Sequence, residues 1–298
     1  MQNIQVLNFG SLNIDHVYQV PHFVRPAETL ACADYAQFAG GKGLNQSVAL
    51  ARAGVRTAHA GKIGADGAFL EETLRLAGVD TRFLIRGEQP TGHAIIQVDR
   101  NGQNCILLYP GANRAITREE IRRVLDQQSH GSWLLLQNEI NEIPFLMQEA
   151  KARGLLIAIN PAPCSPEVAD YPLELADVLF VNEIEAAQLS GSEGLPDAVL
   201  DILTARYPQS EIVMTLGGDG ACYAKGADRF HVPSPDVKVV DTTSAGDTFS
   251  GYYLAAKLRG FSPERTMELA ALAGSIAVSR AGAAVSIPSA EEVFGNAQ

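Results

Sequence analysis

The feature that most constrains how this 298-residue chain can fold is its alternation of short apolar runs with helix-patterned stretches. Apolar segments at residues 4–10, 57–64, 132–136, 155–159, 178–181 and 212–216 read as strands. Between them, residues 43–53, 67–77, 144–153 and 183–189 read as helices. In the first helix Leu44, Val48, Leu50 and Ala51 share one face, and Gly54 closes it. This rhythm predicts a largely parallel sheet covered by helices on both faces, a three-layer α/β/α arrangement, with ligands at the carboxyl ends of the strands. With 46% hydrophobic residues the chain can bury a large core, and no linker interrupts it. A single α/β domain over residues 1–298 is expected.

Two segments break the rhythm. Residues 12–39 and 91–109 are turn-punctuated and rich in strand-forming residues. Runs at 91–99 and 104–109 flank the turn Arg100-Asn101-Gly102-Gln103, a hairpin signal. A small antiparallel sheet standing off the main one would make a lid. Ile95, Gln97, Ile106 and Leu108 alternate with their neighbours, so an apolar face not spent on the core calls for a partner.

The formal charge of −11 argues against a nucleic-acid surface. A polyphosphate would then have to rely on backbone donors, helix ends and Mg²⁺. Cys32, Cys105, Cys164 and Cys222 are too dispersed for a zinc site or redox pair, which predicts reduced thiols in a cytoplasmic setting. No apolar run reaches membrane-spanning length, so no membrane partner is expected.

The chemistry concentrates at residues 241–247, Asp-Thr-Thr-Ser-Ala-Gly-Asp, ahead of an apolar helix-like run. Small residues let backbone N–H groups approach an anion, and a helix start adds positive partial charge. Asp247 at that entrance is placed to take a proton from an attacking hydroxyl. The same residues would also serve as an ordinary helix N-cap. Asn13 and Asp15, two apart in an extended segment, point the same way, and their side chains suit sugar hydroxyls. Residues 40–45, Gly-Gly-Lys-Gly-Leu-Asn, combine close backbone approach with Lys42 and Asn45 at a helix start. The spacing of a P-loop is absent.

Taken together, these stretches resemble the ribokinase-type (PfkB) carbohydrate kinase family along nearly the whole chain. The resemblance rests on residues 40–47 with Gly54 and Gly64, on 241–247, and on Ser11-Leu12-Asn13-Ile14-Asp15. Residues 160–163, 182–185 and 215–220 supply the remaining motifs in order. It implies a ribokinase-like fold and an enzyme that uses ATP and Mg²⁺ to phosphorylate the primary hydroxyl of a pentose. D-ribose to D-ribose 5-phosphate is the first expectation. The alternatives are 2-deoxyribose or another small sugar, and a catalytically idle sugar sensor.

Residue by residue, the resemblance makes Asp247 the base and the backbone of Ala245 and Gly246 the anion hole. It gives Asn13, Asp15, Gly41, Lys42, Asn45 and Glu139 to the sugar. Asn182 and Glu185, read as one helix face, go to phosphates and water-held Mg²⁺. Thr215, Gly217 and Gly220 go to the nucleotide. A monovalent cation, K⁺, is implied at Asp241, Thr243, Ala277, Arg280, Gly282 and Ser286. A homodimer joined through the lids is also implied. Tyr252 departs from the family pattern, standing where a small residue is usual.

Overall fold

A computed structural model describes residues 4–295; the ends of the expected 1–298 domain lie outside the described residues. Nine strands pair into one sheet: β1 (Val6–Phe9), β4 (Thr57–Ile63), β5 (Asp80–Arg86), β8 (Trp133–Gln137), β9 (Leu156–Asn160), β10 (Val178–Asn182), β11 (Glu211–Thr215), β12 (Ala221–Lys225) and β13 (Asp228–Val232). Their order is β13-β12-β11-β10-β9-β8-β1-β4-β5. All neighbours run parallel except β12, which is antiparallel to both β11 and β13. Every residue of β1, β4 and β8 is buried, as expected for strands covered on both faces.

Two layers of helix provide that cover. One apolar core unites α1 (Lys42–Arg52), α2 (Ala68–Leu76), α7 (Ala245–Leu258), α8 (Pro263–Val278) and α9 (Ala290–Phe294) with one sheet face. The second unites α3 (Arg118–Leu125), α4 (Ile143–Ala152), α5 (Glu183–Ser190) and α6 (Pro196–Arg206) with the other. Tyr252 is fully buried in the first core and donates to the carbonyl of Pro288 at 2.7 Å. Its ring lies against Phe294, so the large residue ties α7 to the C-terminal segment.

The smaller, separate sheet takes the order β3-β2-β6-β7, from β2 (Asn13–Gln19), β3 (Asp34–Gly40), β6 (Gly92–Val98) and β7 (Asn104–Tyr109). Two features correct the expectation. The sheet is mixed, because β2 and β6 pair in parallel across its centre. The register also separates the four residues read as one alternating set. Ile95 and Gln97 pair with Leu107 and Cys105, whereas Ile106 and Leu108 pair with Ile96 and Ala94 on the opposite face, the face of Asn13 and Asp15.

Candidate active site

Asp247 lies in the first turn of α7. Ser244, just before the helix, adopts a left-handed conformation with φ 61°, a backbone state that costs a non-glycine residue about 1–3 kcal/mol. Beyond it, Ala245, Gly246 and Asp247 open the helix on the wall of a cavity of about 400 Å³, which they share with Lys42, Asn160, Asn182, Glu185, Thr215 and Gly217. First-turn N–H groups lack intrahelical acceptors and carry the positive end of the helix dipole. A Cβ added at Gly246 would meet nothing within 4 Å, so packing does not require the glycine, and open space adjoins its backbone.

The Asp247 carboxylate is buried, and two neighbouring residues of α1 donate to it. Nδ2 of Asn45 reaches Oδ2 at 3.1 Å, and Nε2 of Gln46 reaches Oδ1 at 3.0 Å. The other amide atom of Asn45, Oδ1, is buried without a partner among the described residues. A buried acceptor left so is costly, and a ligand hydroxyl would satisfy it.

Further charges gather next to this pair. The Lys42 N–H donates to Oε2 of Glu139 at 2.9 Å, and the Ser11 hydroxyl donates to the same oxygen. Burial opposes the Lys42 charge, but Asp247, Glu139 and Glu185 together hold its ammonium above the usual lysine value. For Glu139, burial wins over the attraction of Lys42 and keeps the carboxyl above the usual range. Burial, helped by the charge of Glu139, pushes Asp15 up to about 7. Asn13 accepts from Nδ2 of Asn113 at 2.8 Å, and Asn113 in turn accepts from the Leu12 N–H at 3.0 Å. Gly41 takes φ 94°, and a Cβ there would crowd the Asn13 nitrogen at 3.1 Å.

Asn182 and Glu185 lie side by side at the entrance of α5, where Nδ2 of Asn182 donates to Oε1 of Glu185 at 3.1 Å, and both line the first cavity. Asn182 is the N-cap of α5 and accepts from the Glu185 N–H at 2.8 Å, while Oε2 of Glu185 accepts from the Asn182 N–H at 3.0 Å. This reciprocal capping box uses the same i, i+3 spacing. Glu185 also accepts from Asn160 at 3.3 Å.

A second cavity, of about 410 Å³, adjoins the first and shares Thr215, Gly217, Ala245 and Gly246 with it. Its walls combine glycine backbone, apolar side chains such as Val237, Phe249 and Val278, and the polar residues Ser234, Asp236, Thr242 and Ser275. Gly220 lines it too, but a Cβ there would stand 2.0 Å from the Val232 carbonyl, so close packing against β13 already demands that glycine. Larger depressions of about 620 and 650 Å³ flank α5 and α6, apart from Asp247 and its partners. The chemistry, not the volume, selects the paired cavities.

The chain matches the pfkB family carbohydrate kinases over residues 3–290. It belongs to that family. It is therefore a phosphotransferase with an alcohol group as acceptor. A ribokinase of Haemophilus influenzae is 34% identical over 96% of this chain and 95% of its own length. A deoxyribokinase of Salmonella typhi is 28% identical, with 95% of each chain covered. The solved structure of Arabidopsis thaliana ribokinase complexed with ribose and ATP superposes with a TM-score of 0.89, at 26% identity and 98% coverage of both chains.

In this carbohydrate kinase the remaining predicted residues lie in the loop before α7 and in the last turn of α8 with the segment that follows it. Asp241 accepts from the N–H groups of Thr243 and Gly282, each at 2.9 Å. Burial opposes its charge, but the Thr243 side chain together with those N–H donors outweighs it and holds the carboxyl below the usual range. Ser244 and Ser286 both donate to the Ala283 carbonyl, at 3.1 and 2.8 Å. Ala277 accepts the Arg280 N–H at 3.1 Å, and the Arg280 side chain pairs with Glu292. Among the described residues no cluster of three His, Cys, Asp or Glu side chains could hold a metal ion, and no helix is long and apolar enough to cross a membrane.

Sequence reasoning missed Asn160, Asn113 and Gln46. Asn160 stood in a recognised motif without a role. Gln46 offered a signal, as a polar residue in a helix otherwise patterned for the core. Asn113 offered none, since its partners Leu12 and Asn13 are a hundred residues away.

Proposed function

We propose that this chain transfers the γ-phosphoryl of ATP to the primary hydroxyl of a pentose, with D-ribose giving D-ribose 5-phosphate. The observation that carries the reading is the position of Asp247, which lines the first cavity directly after Ala245 and Gly246, residues that both cavities share. On this reading Asn13, Asp15, Gly41, Lys42, Asn45 and Glu139 hold the sugar. The unpartnered Oδ1 of Asn45 takes one of its hydroxyls. Thr215, Gly217 and Gly220 line the bed of the nucleotide. Asp247 removes the proton of the attacking hydroxyl as the new O–P bond forms and the bond to the ADP oxygen breaks. The N–H groups of Ala245 and Gly246 steady the charge on the phosphoryl oxygens.

Mg²⁺ would be held by nucleotide phosphates and water, with Glu185 as the protein's carboxylate. K⁺ would be held where the loops carrying Asp241, Thr243, Ala277, Arg280, Gly282 and Ser286 meet, mainly by carbonyl oxygens. The small sheet, over residues 12–39 and 91–109, acts as a lid on the sugar and joins two subunits. Phe38, Ile106 and Leu108 are exposed on the same face as Asp15, which supports that contact. The enzyme is assigned to the cytoplasm, in keeping with its four unpaired cysteines.

The similarity to a deoxyribokinase favours 2-deoxyribose as the second reading. A coupled ADP-release assay over pentoses and hexoses decides between them. Ribose is expected to give the highest kcat/KM; a clear preference for 2-deoxyribose or a hexose overturns the ribose assignment, and no turnover with any sugar overturns the reading as a whole.

A further inference from the structure

One row of buried amides outside the residues assigned so far ends on Asp247. Gln46 is fully buried, so it cannot touch a substrate, and its Nε2 donates to Oδ1 of Asp247. Its Oε1 accepts from Nε2 of Gln137 at 2.6 Å. Gln137, also fully buried at the end of β8, donates in addition to Oδ1 of Asn8 at 3.0 Å. Asn8 in β1 donates to the Gly43 carbonyl at 2.7 Å and to the Ser47 hydroxyl at 2.9 Å. The Ser47 oxygen lies 2.8 Å from Nδ1 of His59, whose imidazole burial keeps neutral by pushing it down to about 3. Gly10 makes room for the row, since a Cβ there would stand 2.2 Å from Oε1 of Gln137.

The donors in this row have one consistent direction. A carboxylate only accepts, so Gln46 must turn its NH₂ to Asp247 and its carbonyl to Gln137. The Gly43 carbonyl only accepts, so Asn8 must turn its NH₂ towards it and its Oδ1 towards Gln137. Gln137 therefore donates to both, and flipping Gln46 would set carbonyl against carboxylate and donor against donor. Buried amides of this kind commonly serve the core alone. Here the row ends on the side chain placed at the reacting hydroxyl, and Leu44 and Val48 of the same helix show that apolar residues fill the neighbouring core.

We infer that Gln46, oriented by Gln137, is a positioning residue that fixes the carboxylate plane of Asp247 for proton removal. This rests on the reading of Asp247 as the base. With Asn45 on one oxygen and Gln46 on the other, the carboxylate cannot rotate without losing a donor, and a lone pair stays directed at the substrate.

The test is steady-state kinetics on the full chain with ribose and ATP, alongside thermal melts. Gln46→Met keeps the volume and removes the donor. It should lower kcat about 10–100-fold while both KM values stay within about threefold. Gln137→Met leaves Gln46 in place without its orienting donor and should lower kcat about 3–10-fold. The double variant should match Gln46→Met alone, because the two residues act in series. A packing role alone would lower Tm and leave kcat per folded molecule within about twofold, which overturns the inference. So would a loss expressed in KM. If Gln46→Met does not fold, Gln137→Met decides by the same criteria. In an Asp247→Asn background Gln46→Met should have no further effect on kcat; an added loss there overturns the inference while leaving the base intact. Near-wild-type turnover of Asp247→Asn alone would instead remove the base reading on which the inference rests.

Discussion

The residues proposed for the sugar and those proposed for the nucleotide, on the two sides of Asp247, are different materials. The residues proposed for the sugar are polar side chains, Asn13 and Asn45 buried and Asp15, Lys42 and Glu139 partly so. Glu139 shifts both Asp15 and Lys42, and Lys42 is the one of the five that lines the first cavity. The half proposed for the nucleotide is made mainly of glycine turns and apolar walls, with Thr215, Ser234, Asp236, Thr242 and Ser275 among them. Side chains can be matched to individual hydroxyls, and leaving one unpaired is costly. Backbone and apolar surface hold any nucleotide of suitable shape and respond little to pH. The difference teaches that substrate choice and pH dependence should reside on one side of Asp247, with little leakage to the other.

Of the substitutions flanking Asp247, Asp15→Ala should have the largest effect. Two sugar hydroxyls left unpartnered at about 1–3 kcal/mol each predict roughly a 10²-fold loss of ribose affinity, with ATP affinity unchanged. Calorimetric titration of each ligand checks this, and a loss confined to ATP would reverse the two halves. The reciprocal variant is Gly246→Val, which adds a side chain where a Cβ now meets nothing. It should raise the KM for ATP about tenfold, equal to ~1.4 kcal/mol, and leave ribose binding in place.

Stability against pH sharpens the contrast. Asp15 holds its proton up to about 7 when folded, against 3.8 as its ordinary value. The folded state therefore binds more protons, and the stability contributed by this group is present below about pH 4 and lost as pH rises to about 7. Asp15→Asn should leave Tm nearly unchanged at pH 4 and raise it by several degrees at pH 8, about 1–3 kcal/mol. Equal Tm changes at both pH values would show that Asp15 is not held protonated. Ribose affinity of the wild type should weaken as pH falls through 7, and that of the variant should not.

The smallest effect on the site itself concerns assembly. Leu107 and Leu108 are exposed on opposite faces of the small sheet. Light scattering should give a doubled mass for the wild type and a mass near 31.8 kDa for Leu108→Lys, while Leu107→Lys stays dimeric. The opposite pattern would move the contact to the other face, and a monomeric wild type would remove the dimer.

The main sheet was legible because parallel strands buried on both faces read as unbroken apolar runs; residues 132–136 set against Trp133–Gln137 differ by one position. The small sheet was legible only in part. The hairpin of β6 and β7 is local, whereas the parallel pairing of β2 with β6 joins distant segments and leaves no local signal. Strands β5, β12 and β13, and helices α3, α6, α8 and α9, were not singled out. In the site, Asn13 and Asp15 were readable from strand alternation. Asn182 and Glu185 show the limit of spacing, since i, i+3 describes a capping box as well as a helix face. Gln137 was hidden because its meaning lies in Asn8 and Gln46, partners brought near only by the fold.

The central claim is that Asp247 is the base shared by the two halves, and rapid-quench single turnover of Asp247→Asn with saturating ribose and ATP tests it most directly. Phosphoryl transfer should slow about 10²–10⁴-fold while equilibrium binding of both ligands and the melting profile stay close to wild type. Single-turnover rates within a few fold of wild type would contradict the account.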